Sequence, residues 1–338
     1  MKRCSNCVLP ETFPGISFDE NGVCNFCNAQ KERVTHLTLD KAKYQQKFEE
    51  LIAQHPNNGS YDCIMAYSGG KDSSYTLYLL KYRFGLKTLA ITFDNGFLSP
   101  FAFKNIRNVT NTLEVDHMFI KPKYELLKRM FVASSKEDLY SPKTLERAST
   151  ICTSCMGLVK FSSLKVAIEK HIPFIVYGWS PGQAPLTSSI FKNNGAMMVQ
   201  MQRAIRAPLE KATGPEIGKY FIDEKIFSLV DSFPYNIHPL AFLDYNENGI
   251  YITIKNLGWE KPEDTDANST NCLLNSFANR CHIKKHHFHP YAFEMANLVR
   301  LGYVPREEAI KKLESHDNPE VINYVKKRLG IEHQLEPC

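Results

Sequence analysis

The 338-residue sequence is short of several things, and each shortage removes a class of function. It has no long apolar stretch. The longest run, around Ile172 to Trp179, falls far below the ~20 residues that a membrane-crossing helix needs, so no membrane partner is expected. No apolar segment follows Met1-Lys2-Arg3-Cys4, which argues against a secretory leader and for the cytoplasm. Charge of one sign is not in large excess. With 41 Lys and Arg against 36 Asp and Glu, the net charge of +5 is too mild to argue nucleic-acid binding by itself. Internal repeats and low-complexity tracts are absent, so a solenoid is not expected. Hydrophobic residues at 43% and charged residues at 23% are ordinary for a soluble globular chain. The length suits one large domain with appendages, or two domains.

Cysteine is what the chain does not lack. There are ten, and in a reducing compartment they point to metal binding or catalysis rather than to disulfides. Residues 1–30 are rich in Cys, Asn and Pro and have little periodicity, as a small metal-stapled module would. A helix is expected over 38–54, then a break at Pro56-Asn57-Asn58-Gly59. From there the pattern alternates. Strands are expected at Cys63–Tyr67, Thr88–Phe93, His117–Ile120 and Phe174–Tyr177, with helices over 73–83, 102–113, 124–134 and 155–170. That alternation predicts an α/β fold with a doubly wound parallel sheet. Beyond residue 185 helical segments dominate, with one strand expected at Gly249–Ile254 and a long loop over 259–290. Two or three amphipathic helices are expected over 291–330, and Pro305 fits the first turn of one of them. The expected division is 1–35, 36–185 and 186–338.

The strongest local signal is strand, then Ser68-Gly69-Gly70-Lys71-Asp72-Ser73-Ser74, then helix. Two glycines let backbone N–H groups approach phosphate oxygens, and the following helix points its N-terminus at the same place. Ser68, Ser73 and Ser74 add hydroxyls, Lys71 adds positive charge, and Asp72 fits a helix N-cap or a Mg²⁺ contact. The plain alternative is a strand-to-helix turn with no ligand. The common nucleotide loop, which ends in Gly-Lys-Ser/Thr after four spacer residues, is absent.

Cys4-x2-Cys7 and Cys24-x2-Cys27, sixteen residues apart, have the spacing of a four-cysteine zinc ribbon, against the alternative of four unrelated buried thiols. Cys152-x2-Cys155 is expected just before a helix, near the nucleotide edge of the sheet, and Cys272 lies in a distal loop. A redox pair, a second zinc site with His282 or Cys281, and buried thiols are all open readings of these three. Cys63 reads as a core thiol, Cys281 as ambiguous, and Cys338 as uninformative. The run His282, His286, His287, His289, with Lys284 and Lys285, reads as a solvated loop more readily than as a metal site. Arg203 and Arg206 suit either an anionic substrate or a solvated helix face.

The Ser68–Ser74 motif resembles that of the PP-loop ATP pyrophosphatases. The resemblance implies an adenine nucleotide alpha hydrolase-like fold, Mg-ATP as substrate, and cleavage between the α and β phosphates to give an adenylated intermediate. It also implies that Phe93 and Asp94, at the end of the second strand, border the adenosine, and Gly178 is assigned with them to the nucleotide. The trio Cys152, Cys155 and Cys272 resembles the cluster ligands of the PP-loop tRNA thiolation enzymes. That likeness implies a 4Fe–4S cluster with one iron open to sulfur. Over most of its length the chain is similar to the bacterial N-acetyl sugar amidotransferase branch. The residues that carry this run from Cys4 to Pro10 and from Gly15 to Cys27, with Leu257-Gly258-Trp259 and Leu301 to Ala309. That branch implies a nucleotide-sugar acceptor in surface polysaccharide synthesis and a separate glutaminase. After the fourth strand the chain reads Tyr177-Gly178-Trp179-Ser180-Pro181-Gly182-Gln183, where the tRNA enzymes carry Gly-His-Asn-x-Asp-Asp. The expected catalytic set is Lys71, Asp72, Cys152, Cys155 and Cys272. The function expected is adenylation of a carbonyl or carboxyl oxygen, then its replacement by nitrogen. Sulfur transfer to tRNA or a small molecule, from a sulfur donor, is the first alternative, and an ATP-binding scaffold is the second.

Overall fold

Short apolar runs bounded by polar turns become the strands of one six-stranded sheet. A computed structural model of the chain describes residues 2–30, 37–55, 59–230, 232–315 and 318–332. Pro56-Asn57-Asn58 and Cys338 lie outside the described residues. The strands are β1 (Cys63–Ala66), β2 (Thr88–Phe93), β3 (Asp116–Ile120), β4 (Phe174–Tyr177), β5 (Ile190–Lys192) and β6 (Tyr235–Ile237), in the order β3-β2-β1-β4-β6-β5. Only β5 runs antiparallel, against β6. From β1 the chain winds outward through β2 and β3, then returns to lay β4 on the other side of β1. The carboxyl ends of β1 and β4 therefore flank a switch point, where open parallel sheets bind their ligands.

Side chains alternate across β1. Ile64 joins a core with Leu126 and Met130 of α4 (Tyr124–Lys136) and Leu158 and Phe161 of α5 (Thr150–Glu169). Cys63 and Met65 join the opposite core, with Phe48 of α1 (Leu37–Gln54), Leu77 of α2 (Lys71–Tyr78) and Ile106 of α3 (Pro100–Leu113). Helices thus cover both faces, as a doubly wound parallel sheet requires. A five-residue π-helical turn, Leu79–Arg83, ends α2. The C-terminal part is mostly helical: α6 (Gly195–Thr213), α7 (Glu247–Lys255), α8 (Leu274–His286), α9 (Ala292–Arg300), α10 (Arg306–Leu313) and α11 (Pro319–Leu329). A third core joins the N-terminal cysteine module to α9 and α10, with Phe13 against Phe26, Phe288 and Phe293.

Four sequence expectations are corrected. Gly249–Ile254 is helix α7, not a strand. Ile250 and Ile254 are buried while Ile252 is exposed, so the period is four rather than two, and the Asn246 side chain caps the helix by accepting from Gly249 N at 2.8 Å. The loop expected over 259–290 contains α8, whose apolar stripe of Leu274, Phe277, Ala278 and Cys281 is masked by buried Asn275, Ser276, Asn279 and His282 between them. The solvated-loop reading of the histidine run fails with it, since His282 is buried on that helix. Helix α5 starts five residues before the expected point because Ser149 Oγ accepts from Cys152 N at 3.1 Å. The Cys152/Cys155 pair therefore lies within the helix rather than ahead of it. By length and composition α5 is the one helix among the described residues apolar enough to cross a membrane, but 61% of its most apolar window is buried inside the fold, as in a core helix.

Two buried imidazoles make stability depend on pH. Burial pushes both His238 and His282 down from 6.5 to about 3, helped by Lys160 at the first and His286 at the second. Below pH 6.5 the unfolded chain takes up protons that the folded chain refuses. Stability present above 6.5 is then lost toward pH 3, at up to about 1.4 kcal/mol per pH unit for each histidine. The urea midpoint should fall between pH 7 and pH 5, and His282→Leu should reduce that slope. An unchanged slope in the variant would contradict this account.

Candidate active site

At the carboxyl end of β1 the chain turns sharply through Ser68–Gly70 into α2. Gly69 has φ +75°, and a Cβ there would meet Ile106 Cγ1 at 2.7 Å and Ala102 O at 2.8 Å. Gly178, where β4 ends, is tighter still: its Cβ would lie 2.5 Å from Ser73 Cα and 2.8 Å from Ser73 N. The turn is braced from several sides. Trp259 Nε1 donates to Gly69 O at 2.9 Å, Ser73 Oγ donates to Gly70 O at 3.0 Å, and Ser68 Oγ lies 3.0 Å from Ser73 Oγ. Ser74 is fully buried with its Oγ on Tyr67 OH at 3.1 Å, so it faces the core. The N-terminal amides of α2 point into the switch point. One of them, Lys71 N, donates to Thr270 Oγ1 at 2.9 Å.

Lys71 is buried and held by a polar cage. Its Nζ donates to Tyr245 OH at 2.8 Å and lies 3.1 Å from both Asp72 Oδ1 and Glu247 Oε1. Tyr245 OH donates in turn to Asp72 Oδ1 at 3.0 Å, and Lys312 Nζ meets Glu247 Oε2 at 3.0 Å. Burial pushes the Lys71 pKa down, but Asp72, Tyr245 and Glu247 reverse this and hold it raised. Burial likewise pushes Glu247 up, and Lys71 and Lys312 bring it below its usual value. The result is a fixed ammonium beside a helix N-terminus, an arrangement suited to anionic oxygen. Tyr245, Glu247, Thr270 and Trp259 were not singled out from the sequence as site residues. The Asn246 cap of α7 places Tyr245 and Glu247 beside the loop, but only the fold brings them to Lys71.

Phe93 and Asp94 stand at the carboxyl end of β2. Phe93 is packed in the core. Asp94 serves the turn: its Oδ1 accepts from Gly96 N at 2.9 Å, and its Oδ2 lies 3.4 Å from Lys121 Nζ. Arg203 and Arg206 are engaged within the fold. Each already has a carboxylate, Arg203 on Glu224 (2.5 Å) and Arg206 on Glu210 (2.7 Å).

The next residue, Asn95, links the loop region to the cysteine trio. Its Oδ1 accepts from Phe97 N, which fixes the amide, and its Nδ2 donates to Cys155 Sγ at 3.6 Å and Cys272 Sγ at 3.5 Å. Asn275 Nδ2 donates to Cys152 Sγ at 3.8 Å. The three thiols, which are 120 residues apart in sequence at their extremes by numbering from Cys152 to Cys272, converge on one wall. Cys272 pairs with Leu98 through an isolated bridge and sits two residues after Thr270. Burial raises the pKa of all three, Cys152 to about 11. They are partly accessible, free, and supplied with amide donors, which fits a cluster bound through thiolates.

Cys4, Cys7, Cys24 and Cys27 form a separate, closed set. All four are buried, and their sulfurs lie within 4.8 Å of one another, alone in this among the described residues. Cys7 N and Cys24 N donate to Cys4 Sγ at 3.4 and 3.2 Å. Arg300 Nε donates to Cys27 Sγ at 3.3 Å, and its Nη2 to Cys7 Sγ at 3.6 Å. The Cys7 thiol and then Arg300 lower Cys27 to about 4, while the bond to Cys27 and burial raise Cys7. Four thiols at this spacing fit a single tetrahedral zinc, and Arg300 offsets the excess negative charge of four thiolates. Arg306 donates to Cys4 O and Cys7 O at 2.9 Å, tying α10 to the same module. Chelator-resistant zinc at about one per chain is expected, and Cys7→Ser should lose it and lower the melting temperature by several degrees. A variant that keeps both its metal and its stability would refute the site.

No protein-family model matches the chain. It is 26% identical over 331 residues to the uncharacterized protein MJ1599 of Methanocaldococcus jannaschii, across 97% of this chain and 99% of that protein. Among solved structures it resembles the U34-tRNA thiolase NcsA of Methanococcus maripaludis, a structure with a 4Fe–4S cluster (17% identity, 98% of each chain, TM-score 0.37). It also resembles the NMN synthetase of Francisella tularensis (14% identity, 87% of this chain and 96% of that one, TM-score 0.33).

Proposed function

We propose that the chain binds Mg-ATP in the Ser68–Ser74 loop and adenylates a carbonyl or carboxyl oxygen, releasing pyrophosphate. The observation that supports this most is the caged Lys71 beside the α2 N-terminus at the switch point of the sheet. In this reading the loop amides and Lys71 hold the phosphates, and Asp72 positions Mg²⁺. The acceptor oxygen attacks the α phosphate, the bond to the β-phosphate oxygen breaks, and pyrophosphate leaves. An incoming nitrogen or sulfur nucleophile then displaces AMP from the activated carbon.

The convergence of Cys152, Cys155 and Cys272 beside the loop favours sulfur as the incoming atom. A 4Fe–4S cluster held by these three residues would supply an open iron that binds sulfur. The sequence likeness to the sugar amidotransferases favours nitrogen, with a nucleotide sugar as acceptor and a separate glutaminase. The experiment that separates them is iron and acid-labile sulfide analysis of protein purified without oxygen. Iron and sulfide that disappear in Cys152→Ser, Cys155→Ser or Cys272→Ser support sulfur transfer to a small molecule or tRNA. Zinc without iron, with ammonia-dependent turnover, supports nitrogen transfer. We assign the zinc module to residues 1–35, ATP mainly to 36–185, and acceptor or partner contacts to 186–338 together with α5 and the exit of β4.

A further inference from the structure

Beyond the carboxyl ends of β4 and β6 three side chains meet, two of which, Lys160 and His238, carry nitrogens without a hydrogen-bond partner among the described residues. Lys160 comes from α5, Trp179 from the exit of β4, and His238 from the exit of β6. The Lys160 ammonium lies 4.8 Å from the centroid of the Trp179 ring. No carboxylate and no hydrogen-bond acceptor among the described residues meets it. The His238 ring stacks on the same indole, with centroids 4.4 Å apart and planes 10° apart. It is 3% exposed, and its Nδ1 has no hydrogen-bond partner. A buried imidazole nitrogen without a partner destabilises a fold, and the Lys160 ammonium beside it has no anion to balance its charge. An indole face attracts the ammonium but does not satisfy its three N–H donors. Burial lowers the pKa of Lys160, and no carboxylate opposes that shift. Such a cluster persists where a ligand completes it. Its place fits: Trp179 follows Gly178, the residue packed against Ser73 of the ATP loop. Both Lys160 and Trp179 keep part of their surface open.

We propose that Lys160, His238 and Trp179 form the acceptor subsite and bind an anionic group of the acceptor, a carboxylate or a phosphate ester, with its ring or chain against the indole. This deepens the adenylation reading and rests on it for the word acceptor, while the binding claim stands on these residues alone. The ammonium takes the anion, and the neutral imidazole exchanges a hydrogen bond with a neighbouring hydroxyl or amide.

The test is calorimetric titration of the full chain, with its zinc, in saturating α,β-methylene-ATP, so that the ATP loop is occupied. The probes are glucose 1-phosphate and glucuronate. One of them should bind one-to-one, and which one identifies the source of the anion. Lys160→Met should weaken that binding at least about tenfold, as loss of a charge-assisted bond does, and leave the nucleotide affinity unchanged. If neither probe binds the wild type, or if Lys160→Met binds equally well, the subsite is refuted. If α,β-methylene-ATP itself fails to bind, the adenylation reading falls instead, and the same comparison of wild type and Lys160→Met without nucleotide still decides the subsite.

Discussion

Gly178→Ala should abolish tight ATP binding. The added Cβ would lie 2.5 Å from Ser73 Cα and 2.8 Å from Ser73 N, and both are backbone atoms of the first turn of α2. No rotamer change relieves such a contact, so either β4 or α2 must move. Overpacking of this kind costs typically about 1–3 kcal/mol, and here the displaced amides are those proposed to hold phosphate. The expected result is a folded protein with a lower melting temperature and an ATP affinity reduced by at least about tenfold. Gly249→Ala is the control. Its Cβ would have only ordinary contacts, the nearest at 3.5 Å, inside a helix where alanine is favoured. It should change neither ATP affinity nor stability for the worse. Wild-type affinity in Gly178→Ala would mean that the Ser68–Ser74 loop does not hold the nucleotide.

Lys71→Met should have the larger effect on catalysis. The ammonium that sits 3.1 Å from both Asp72 and Glu247 would be gone, leaving two carboxylates and Tyr245 around an uncharged chain. Breaking a partly buried ion network in this way destabilises by about 2 kcal/mol or more, since one side is left unpaired. Turnover should fall by about 10²–10³-fold, as when a fixed donor to a developing anionic oxygen is removed. Glu247→Gln tests the cage separately, because it keeps the ammonium but weakens its anchoring, and its loss of rate should be smaller. Equal losses in the two variants would place the catalytic role in the network rather than in Lys71.

The parts of this protein legible in its sequence are those written in neighbouring residues. The runs at 63–66, 88–93, 116–120 and 174–177 are short, apolar and bounded by turns, and each is a strand. The Ser68–Ser74 turn and the cysteine pairs Cys4/Cys7 and Cys24/Cys27 are local patterns too, and the structure brings each together. What escaped was long-range or disguised. Strands β5 and β6 have three residues each, too few to show a period. In α7 the isoleucines at 250, 252 and 254 mimic strand alternation, and only burial shows which two face inward. Helix α8 buries asparagines, a serine and a histidine beside Leu274, Phe277, Ala278 and Cys281, so polar residues mask its apolar period. The partners of Lys71 and of the thiols, namely Tyr245, Glu247, Thr270, Asn95 and Arg300, are set by the packing of distant segments, and no spacing in the sequence announces them. Asp94 shows the reverse case, a residue whose turn-forming chemistry accounts for its observed contacts.

The most direct test of the central claim is to identify the products made from ATP labelled at the α and γ phosphates, with ammonia or sulfide supplied and a sugar carboxylate or an N-acetyl sugar phosphate as acceptor. The account predicts AMP and pyrophosphate in equal amounts, dependent on Mg²⁺ and lost in Lys71→Met. ADP and inorganic phosphate as products, or AMP formation unchanged in Lys71→Met, would contradict it.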